Sequence, residues 1–358
     1  MLRKKPAVGS LILKDGTVFK GTPFGSQNST AGEVVFNTGM VGYPESMTDP
    51  SYNGQILVFT YPLIGNYGVR QNPDSIADSL ESSRIQVKGI IVSDYSANYS
   101  HWSAIKSLDE WMKEEGIPGI YGIDTRQLTK RLREKGVMLG KIINRQDTGF
   151  YDPNKEILQE YVSVKSPVTY GSGKPHIVLV DCGVKNSIIR SLLRRKVRLT
   201  QVPYDYDFTR MKYDGLFISN GPGDPKSVTQ AIENVRIAMD SEKPVFGICM
   251  GNQIMALAAG GATYKLKFGH RSQNQPCIEQ GTKRCYITSQ NHGYAVNDKK
   301  LPSGWKPWFR NANDGTNEGI IHKTGLFRAI QFHAEHNPGP RDTEFMFDNF
   351  IRMVREGR

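Results

Sequence analysis

The second half of the chain repeats one pattern, a short apolar run followed by a longer amphipathic segment. Strand-like and helix-like stretches alternate at 176–181, 186–195, 197–202, 215–219, 228–240, 244–248 and 253–259. This alternation is typical of a doubly wound, mostly parallel sheet, which keeps its active site at the carboxyl ends of its strands. We therefore predict an α/β domain of this type over residues 175–358.

The first half has a different pattern. Short β-branched runs lie between Gly, Pro, Asn and Asp turns, at 34–36, 55–60 and 89–92. Helical periodicity predicts helices over 104–115 and 125–135, the second starting after Asp124 and stopping at Gly136. We predict a β-rich α/β domain over residues 1–148. A Ser/Pro/Gly-containing linker is predicted over residues 149–174.

Composition narrows the class of protein. The chain has 358 residues, of which 38% are hydrophobic and 23% charged, and no apolar run reaches the roughly 18 residues of a membrane span. No signal peptide is recognisable, so we expect a cytoplasmic protein without a membrane contact. The four cysteines form no C-x-x-C pair, and we expect neither a metal site nor a disulfide framework.

The net charge of +11 raises the possibility of a nucleic-acid binder. The densest basic run, residues 190–198, alternates with apolar residues at helical spacing, as on a solvated helix face. No zinc-finger spacing or aromatic RNA-binding strand is present. We expect no nucleic acid, and interpret the charge as favouring solubility or an acidic partner.

Cys249 is the first candidate for chemistry. It follows an apolar strand and precedes a helix, with Gly247 and Gly251 two positions away on either side. This arrangement resembles the nucleophile elbow of hydrolases, where glycines permit a sharp turn and a helix N-terminus favours a thiolate. The alternative is a buried cysteine acting as a small hydrophobe.

A nucleophilic cysteine needs a base and a group that orients it. His333 ends a predicted strand in the segment 329–336, and Glu335 lies two residues on, on the same side of an extended chain. His336 is the local competitor, but the His-x-Glu spacing favours His333. A structural histidine is the alternative.

The loop over residues 219–225, of sequence SNGPGDP, follows the third predicted strand. Two glycines around a proline shape a turn whose N–H groups can face a ligand, as an oxyanion hole requires. An ordinary connecting loop has the same composition.

Together these elements resemble class I, triad-type glutamine amidotransferases. The N-terminal half narrows the resemblance to the small-subunit family of carbamoyl-phosphate synthetases, through FNTGMVGYPESMTDPSY at 36–52, TYPLIGNYGV at 60–69 and GIPGIYGIDTRQLTKRLREKG at 116–136. ITSQNHGYAV at 287–296 matches as well, so the resemblance covers nearly the whole chain.

The resemblance implies hydrolysis of L-glutamine by Cys249, His333 and Glu335 through a thioester. It implies transfer of ammonia through a tunnel to a large subunit, which makes carbamoyl phosphate from bicarbonate and ATP for arginine and pyrimidine synthesis. No cofactor is expected in this chain, with ATP and Mg on the large subunit. The implied glutamine-binding residues are Ser51, Gly221, Gly223, Met250, Gln253, Asn291, Gly293 and Tyr294.

Two positions depart from the family pattern. Asn252 stands where the family usually has His, and Ala334 replaces the usual Pro. Asn cannot carry a proton near neutral pH, so the glutaminase rate, or its coupling to the partner, is in question.

Three alternatives stay open: an amidotransferase serving another synthase, a catalytically silent small subunit, and a nucleic-acid binder.

Overall fold

The computed structural model describes residues 8–70 and 80–357. The chain divides into two compact units, Met1–Glu156 and Ile157–Arg358. Within the described part of the chain, no helix has the length and apolarity needed to cross a membrane. The basic N-terminal stretch 1–6 lies outside the described residues.

The first unit is built on a closed barrel of seven strands, in the order β1-β11-β3-β4-β7-β10-β2. Neighbouring strands are parallel from β3 through β4 and β7 to β10, and antiparallel elsewhere. The strands of this unit are β1 (Gly9–Leu13), β2 (Val18–Gly25), β3 (Thr30–Asn37), β4 (Gln55–Phe59), β5 (Leu63–Ile64), β6 (Val69–Arg70), β7 (Gly89–Ile91), β8 (Asp94–Tyr95), β9 (Ala104–Lys106), β10 (Pro118–Tyr121) and β11 (Met138–Ile143).

The helices of the first unit are α1 (Tyr43–Thr48), α2 (Leu108–Glu114) and α3 (Thr125–Lys135), with 3₁₀ turns at Pro50–Tyr52 and Pro153–Lys155. The prediction for α3 is confirmed, with Asp124 as N-cap and Gly136 as C-cap. The predicted helix over 104–115 begins too early. Ser107 and Glu110 form a capping box that starts α2 after Ser107, and the residues before it form β9 instead.

The second unit contains one sheet of ten strands, in the order β12-β14-β13-β15-β16-β21-β20-β19-β17-β18. Its strands are β12 (Val168–Tyr170), β13 (His176–Asp181), β14 (Arg198–Pro203), β15 (Gly215–Ile218), β16 (Val245–Ile248), β17 (Thr263–Glu279), β18 (Cys285–Val296), β19 (Trp305–Asn311), β20 (Asn317–His322) and β21 (Phe327–Ile330). Its helices are α4 (Gln159–Val162), α5 (Asn186–Leu193), α6 (Thr229–Met239), α7 (Met250–Ala258) and α8 (Phe345–Glu356), with 3₁₀ turns at Pro225–Ser227 and Asp298–Lys300.

The five central strands β14, β13, β15, β16 and β21 are parallel. With helices between them, they form the doubly wound core that the sequence predicts, and the fold class is confirmed. Because β15, β16 and β21 are neighbours, the loops that leave their carboxyl ends meet at one edge of the sheet. These three loops carry the residues predicted for catalysis.

Alternate residues of the central strands pack on opposite faces of this sheet. Leu216 and Ile218 of β15 join a buried cluster that includes residues of α6 and α7. Phe217, between them, stacks on Phe347 of α8 with ring centroids 5.8 Å apart. Both faces of the sheet are thus covered by apolar side chains.

The segment 149–174, predicted as a linker, holds regular structure. Residues from Ile157 onward belong to the second unit, and β12 pairs antiparallel with β14 at the edge of the sheet. The composition of this segment is that of a loop, yet Leu158 and Gln159 are buried. The boundary between the units therefore falls after Glu156.

Candidate active site

Cys249 lies at a sharp turn between β16 and α7. Its backbone has φ 56° and ψ −104°, a conformation that L-residues rarely adopt and that costs free energy. The positions two residues before and two residues after Cys249 have no room for a side chain. A Cβ at Gly247 would lie 2.6 Å from the backbone of Gly251, and a Cβ at Gly251 would lie 2.3 Å from the carbonyl oxygen of Ile218. The elbow predicted from the sequence is present in the structure.

The thiol of Cys249 is buried, with 2% of the residue exposed. Its Sγ donates to the carbonyl oxygen of Asn291 on β18 at 3.6 Å. The backbone N–H of Cys249 donates to the carbonyl oxygen of Ile330 at 2.8 Å, which ties the elbow to the end of β21. The thiol sits at the N-terminus of α7, where free N–H groups favour a negative charge.

His333 follows β21 and is held by its backbone and by its ring. Its N–H donates to the carbonyl oxygen of Ser289 at 2.9 Å. Its Nδ1 lies 2.5 Å from Oε1 of Glu335, and both side chains are buried. Because the carboxylate accepts at Nδ1, Nε2 is the ring nitrogen left for proton transfer, and it has no hydrogen-bond partner among the described residues.

The two groups shift each other's pKa. Burial lowers the pKa of His333, but the Glu335 carboxylate and the Cys249 side chain outweigh this and raise the pKa to about 10. Burial raises the pKa of Glu335, while the positive charges of Lys185 and His333 outweigh it and lower the pKa to about 2. The favoured state of the pair is therefore an imidazolium next to a carboxylate.

Lys185 is a member of this site that the sequence reasoning missed. It lies in the turn between β13 and α5, and only 3% of the residue is exposed. Its Nζ lies 3.0 Å from Oε1 of Glu335 and donates to the carbonyl oxygen of His336 at 2.8 Å. The sequence does place this lysine just after a predicted parallel strand, at the edge of the sheet where catalytic residues are expected, and this position could have identified it.

The loop after β15 approaches the end of β13 so closely that a Cβ at Gly221 would lie 2.0 Å from the carbonyl oxygen of Cys182. Gly223 has φ +83°, which favours glycine. Within the ranges 8–70 and 80–357, the N–H groups of Gly223 and Met250 donate to no other protein group. Both are therefore available to a ligand.

The structure places several predicted glutamine-binding residues on α7 and β18. Gln253 donates from Nε2 to the carbonyl oxygen of Tyr294 at 2.8 Å and to Oε1 of Gln331 at 3.1 Å. Asn252 donates from Nδ2 to the same Oε1 at 3.2 Å. Gln331 thus links the position that departs from the family pattern to a predicted substrate-binding residue. Asn291 and Gly293, also on β18, complete this set.

Ser51 lies in the first unit, within the 3₁₀ turn Pro50–Tyr52. It is buried, and its N–H donates to Oδ1 of Asp49 at 2.9 Å. Its predicted contact with glutamine stays a prediction.

One group of possible metal ligands occurs in the described part of the chain, formed by His270, His292 and Glu318. These side chains already have protein partners. His270 lies 3.1 Å from Glu318 and 2.8 Å from Asp314, and the two carboxylates raise the pKa of His270 to about 9 against the effect of burial. Nδ1 of His292 is 2.8 Å from the carbonyl oxygen of Tyr294. We interpret His270 and Glu318 as a buried, hydrogen-bonded ion pair, with the ring of His292 packed 4.9 Å from that of His270.

Comparison with protein families agrees with this geometry. Residues 178–353 match the family model of class-I glutamine amidotransferases, which defines the class of the second unit. Residues 11–142 match the model described as "Carbamoyl-phosphate synthase small chain, CPSase domain". The chain therefore belongs to the carbamoyl-phosphate synthase small-chain family.

Three curated relatives contain a region similar to this chain within a much longer polypeptide. "Multifunctional protein CAD" of Squalus acanthias is 50% identical over 98% of this chain and 16% of its own length. "Carbamoyl-phosphate synthase [ammonia], mitochondrial" of Homo sapiens is 50% identical over 100% of this chain and 24% of its own length. "Multifunctional protein ura1" of Schizosaccharomyces pombe is 50% identical over 97% of this chain and 17% of its own length. The chain thus spans less than a quarter of these relatives.

Proposed function

We propose that this chain is the glutaminase of a carbamoyl-phosphate synthetase. The observation that carries the proposal is one buried histidine, His333, with Glu335 on Nδ1 at 2.5 Å, three residues after Ile330, whose carbonyl oxygen accepts from the N–H of Cys249 at 2.8 Å. A thiol on a strained elbow, a base and an orienting carboxylate are the parts that nucleophilic acyl transfer requires.

The reaction follows from these positions. The Cys249 thiolate attacks the side-chain carbonyl carbon of glutamine, and the N–H groups of Met250 and Gly223 stabilise the oxyanion. His333, protonated at Nε2, gives its proton to the departing ammonia, and a glutamyl thioester remains. The neutral ring then takes a proton from water, which attacks the thioester and releases glutamate. Glu335 holds the ring orientation through both steps.

The glutamine itself is held by neutral donors and acceptors. Within the second unit we assign this role to Gly221, Gln253, Asn291, Gly293 and Tyr294. A zwitterionic amide substrate suits such groups, because no net charge needs to be paired in the pocket.

The partner we propose is a synthetase large subunit, as a separate chain or as a longer polypeptide. The support is the length of the relatives, which are named as carbamoyl-phosphate synthase or as multifunctional proteins and are more than four times longer than this chain. In this proposal the ammonia passes through a tunnel to the large subunit, which uses it with bicarbonate and ATP. ATP and Mg belong to that subunit.

A second candidate is a small subunit without glutaminase activity. The human relative is named for ammonia, and Asn252 departs from the family pattern. Against it stand the three side chains of Cys249, His333 and Glu335 in a reactive arrangement.

The test measures glutamate release from L-glutamine by the parent chain and by Cys249→Ala, each with and without the large subunit. We expect release by the parent and none above background by the variant. Reaction with a glutamine-like electrophile should add mass at Cys249 only. Equal rates for parent and variant, with no labelling of Cys249, favour the silent subunit.

A further inference from the structure

Strand β18 contacts the active site through its backbone. Three of its carbonyl oxygens accept from site residues, that of Ser289 from the N–H of His333 at 2.9 Å, that of Asn291 from Sγ of Cys249 at 3.6 Å, and that of Tyr294 from Nε2 of Gln253 at 2.8 Å. This strand is therefore tied to the nucleophile, to the base and to a predicted glutamine-binding amide.

The carbonyl of Tyr294 has a second partner, the ring of His292. Nδ1 of His292 lies 2.8 Å from this oxygen, and the residue is buried. Because a carbonyl oxygen only accepts, the ring nitrogen carries a proton and donates to it. His292 and Gln253 thus share one acceptor, and a shift of the His292 ring changes the surroundings of the carbonyl that Gln253 contacts.

A buried carboxylate lies beside the other nitrogen of this ring. Oε2 of Glu318 is 3.9 Å from Nε2 of His292, and it has no hydrogen-bond partner among the residues that the structure describes. Glu318 is fully buried. A buried carboxylate attracts a protonated partner strongly, because no water screens its charge. His292 therefore lies within reach of a competing acceptor.

His270 already neutralises this carboxylate. Its Nδ1 lies 3.1 Å from Oε1 of Glu318, and its Nε2 lies 2.8 Å from Oδ2 of Asp314. With a carboxylate at each nitrogen, the ring is held in its doubly protonated form, in line with its raised pKa of about 9. The buried ion pair is thus formed by His270 and not by His292.

The two histidines are direct neighbours across β17 and β18. His270 pairs with His292 in the antiparallel register, and their ring centroids are 4.9 Å apart. Burial lowers the pKa of His292, and the charge of His270 lowers it further. His292 therefore stays neutral, with its single proton on Nδ1 toward Tyr294. Its Nε2 then accepts, and the amide of Gln290, 3.0 Å away, can present its NH₂ group by a half-turn about its last bond.

We propose that His270 is a positioning residue for glutamine binding, which pairs with Glu318 and so keeps this carboxylate from drawing His292 away from the Tyr294 carbonyl. The inference rests on the proposed glutaminase function, and it gives a role to a buried ion pair outside the predicted catalytic motifs. Without His270, the buried carboxylate has the ring of His292 beside it as a replacement partner. Movement of that ring disturbs the carbonyl that holds Gln253.

The test is the KM for glutamine of His270→Gln, measured by glutamate release in the complex with the large subunit. We expect KM to rise about threefold to tenfold, which corresponds to the net contribution of one intramolecular hydrogen bond. The nucleophile and its base are untouched by this substitution, so kcat should change less than KM.

A second substitution separates this role from a purely structural one. Glu318→Gln removes the carboxylate that competes for His292. The double variant His270→Gln with Glu318→Gln should therefore regain a KM close to that of the parent, and Glu318→Gln alone should also keep it. Damage to packing would instead persist or increase in the double variant.

The ring of His292 supplies a direct readout. In nitrogen NMR spectra of protein that carries isotope-labelled histidine, the signals that disappear in His292→Asn identify this ring. We expect a neutral ring with its proton on Nδ1 in the parent and in the double variant, and a doubly protonated ring in His270→Gln.

His176→Gln is the matched control. The ring of His176 also contacts two protein oxygens, the carbonyl oxygen of Lys212 at 2.9 Å and Oγ1 of Thr200 at 2.8 Å, but it lies at the amino end of β13. This variant should keep the KM of the parent. Active-site titration with the glutamine-like electrophile corrects every kcat for the folded fraction.

An unchanged KM in folded His270→Gln would overturn the inference and leave the glutaminase proposal intact. A KM that stays high in the double variant would also overturn it, because the carboxylate would then not be the cause. If His270→Gln does not fold, the double variant is compared with Glu318→Gln, and a higher KM in the double variant overturns the inference. Absence of glutamate release by the parent chain would overturn both proposals.

Discussion

The Nζ of Lys185 lies 3.0 Å from Oε1 of Glu335, the same oxygen that contacts His333. All three side chains are buried. The carboxylate is thus shared by two cationic partners, and the lysine compensates the charge that orients the imidazole.

Replacing this lysine should affect both stability and catalysis. In Lys185→Met, the buried carboxylate keeps only one cationic partner, and breaking a buried ion pair costs about 3–5 kcal/mol. We expect the free energy of unfolding to fall by that order, measured with urea. Loss of the lysine charge also removes an influence that lowers the pKa of His333, so the pH profile of kcat should shift to higher pH. Lys185→Arg, which keeps the charge, should retain most of the stability.

The His333–Glu335 pair should make stability depend on pH. The pKa of His333 rises from 6.5 to about 10 on folding, so its contribution is fully present below pH 6.5 and is lost as the pH rises toward 10. The pKa of Glu335 falls from 4.5 to about 2, so its contribution is present above pH 4.5 and is lost as the pH falls toward 2. The difference in unfolding free energy between the parent and His333→Asn should therefore be largest between these limits. Urea unfolding at about pH 6, 8 and 10 measures it, and a difference independent of pH contradicts the prediction.

Gly251→Ala should damage the elbow. The added Cβ would lie 2.3 Å from the carbonyl oxygen of Ile218, so α7 must move away from β15, at a typical cost of about 1–3 kcal/mol. We expect a lower melting temperature. We also expect the rate of glutamate release to fall further than the loss of folded protein explains. At Gly149 an added Cβ meets no atom within 4 Å, so Gly149→Ala should behave like the parent.

Gln331→Met should weaken glutamine binding. Oε1 of Gln331 accepts from both Asn252 and Gln253, and its loss leaves buried amide donors without that acceptor, at about 1–3 kcal/mol. Because Gln253 keeps its bond to Tyr294, we expect partial misplacement rather than collapse. KM for glutamine should rise more than kcat falls in steady-state assays. A variant that is less stable but has an unchanged KM for glutamine would contradict the proposed role of Gln331 in positioning Gln253.

Asn252→His tests the position where the sequence departs from the family. Asn252 is fully buried, and its Oδ1 has no hydrogen-bond partner among the described residues. A histidine supplies a group that titrates near neutral pH, and we expect faster glutamine-dependent turnover with ammonia-dependent synthesis unchanged. Slower turnover with reduced stability would mean that the larger ring only overpacks the site.

The sequence predicted the second unit well because a parallel core has a simple signature. Apolar runs joined by helices place residue 249 and residue 333 after strands, and neighbouring strands bring them together. The barrel of the first unit could not be predicted, because strand pairing across long separations, such as β1 with β11, leaves no local pattern.

The predicted and missed site residues differ in the same way. Cys249 and His333 carry local signatures, an elbow and a His-x-Glu spacing. Lys185 and Gln331 contact partners remote in sequence, and Gln159 is buried in a segment whose composition predicts a linker. Ser107 is a case in which a local sequence signature was present but not used. Its capping box with Glu110 follows the known Ser-x-x-Glu pattern and sets the start of α2.

The order of strands in the parallel sheet also has a consequence for biosynthesis. β21 is inserted between β16 and β20, in the interior of the sheet, although it is the last strand to leave the ribosome. Cys249 and His333 are 84 positions apart, so in the proposed mechanism the nascent chain carries its nucleophile well before its base exists. In that mechanism the thiol meets its base only when β21 completes the sheet, so activation of the cysteine follows synthesis of that strand.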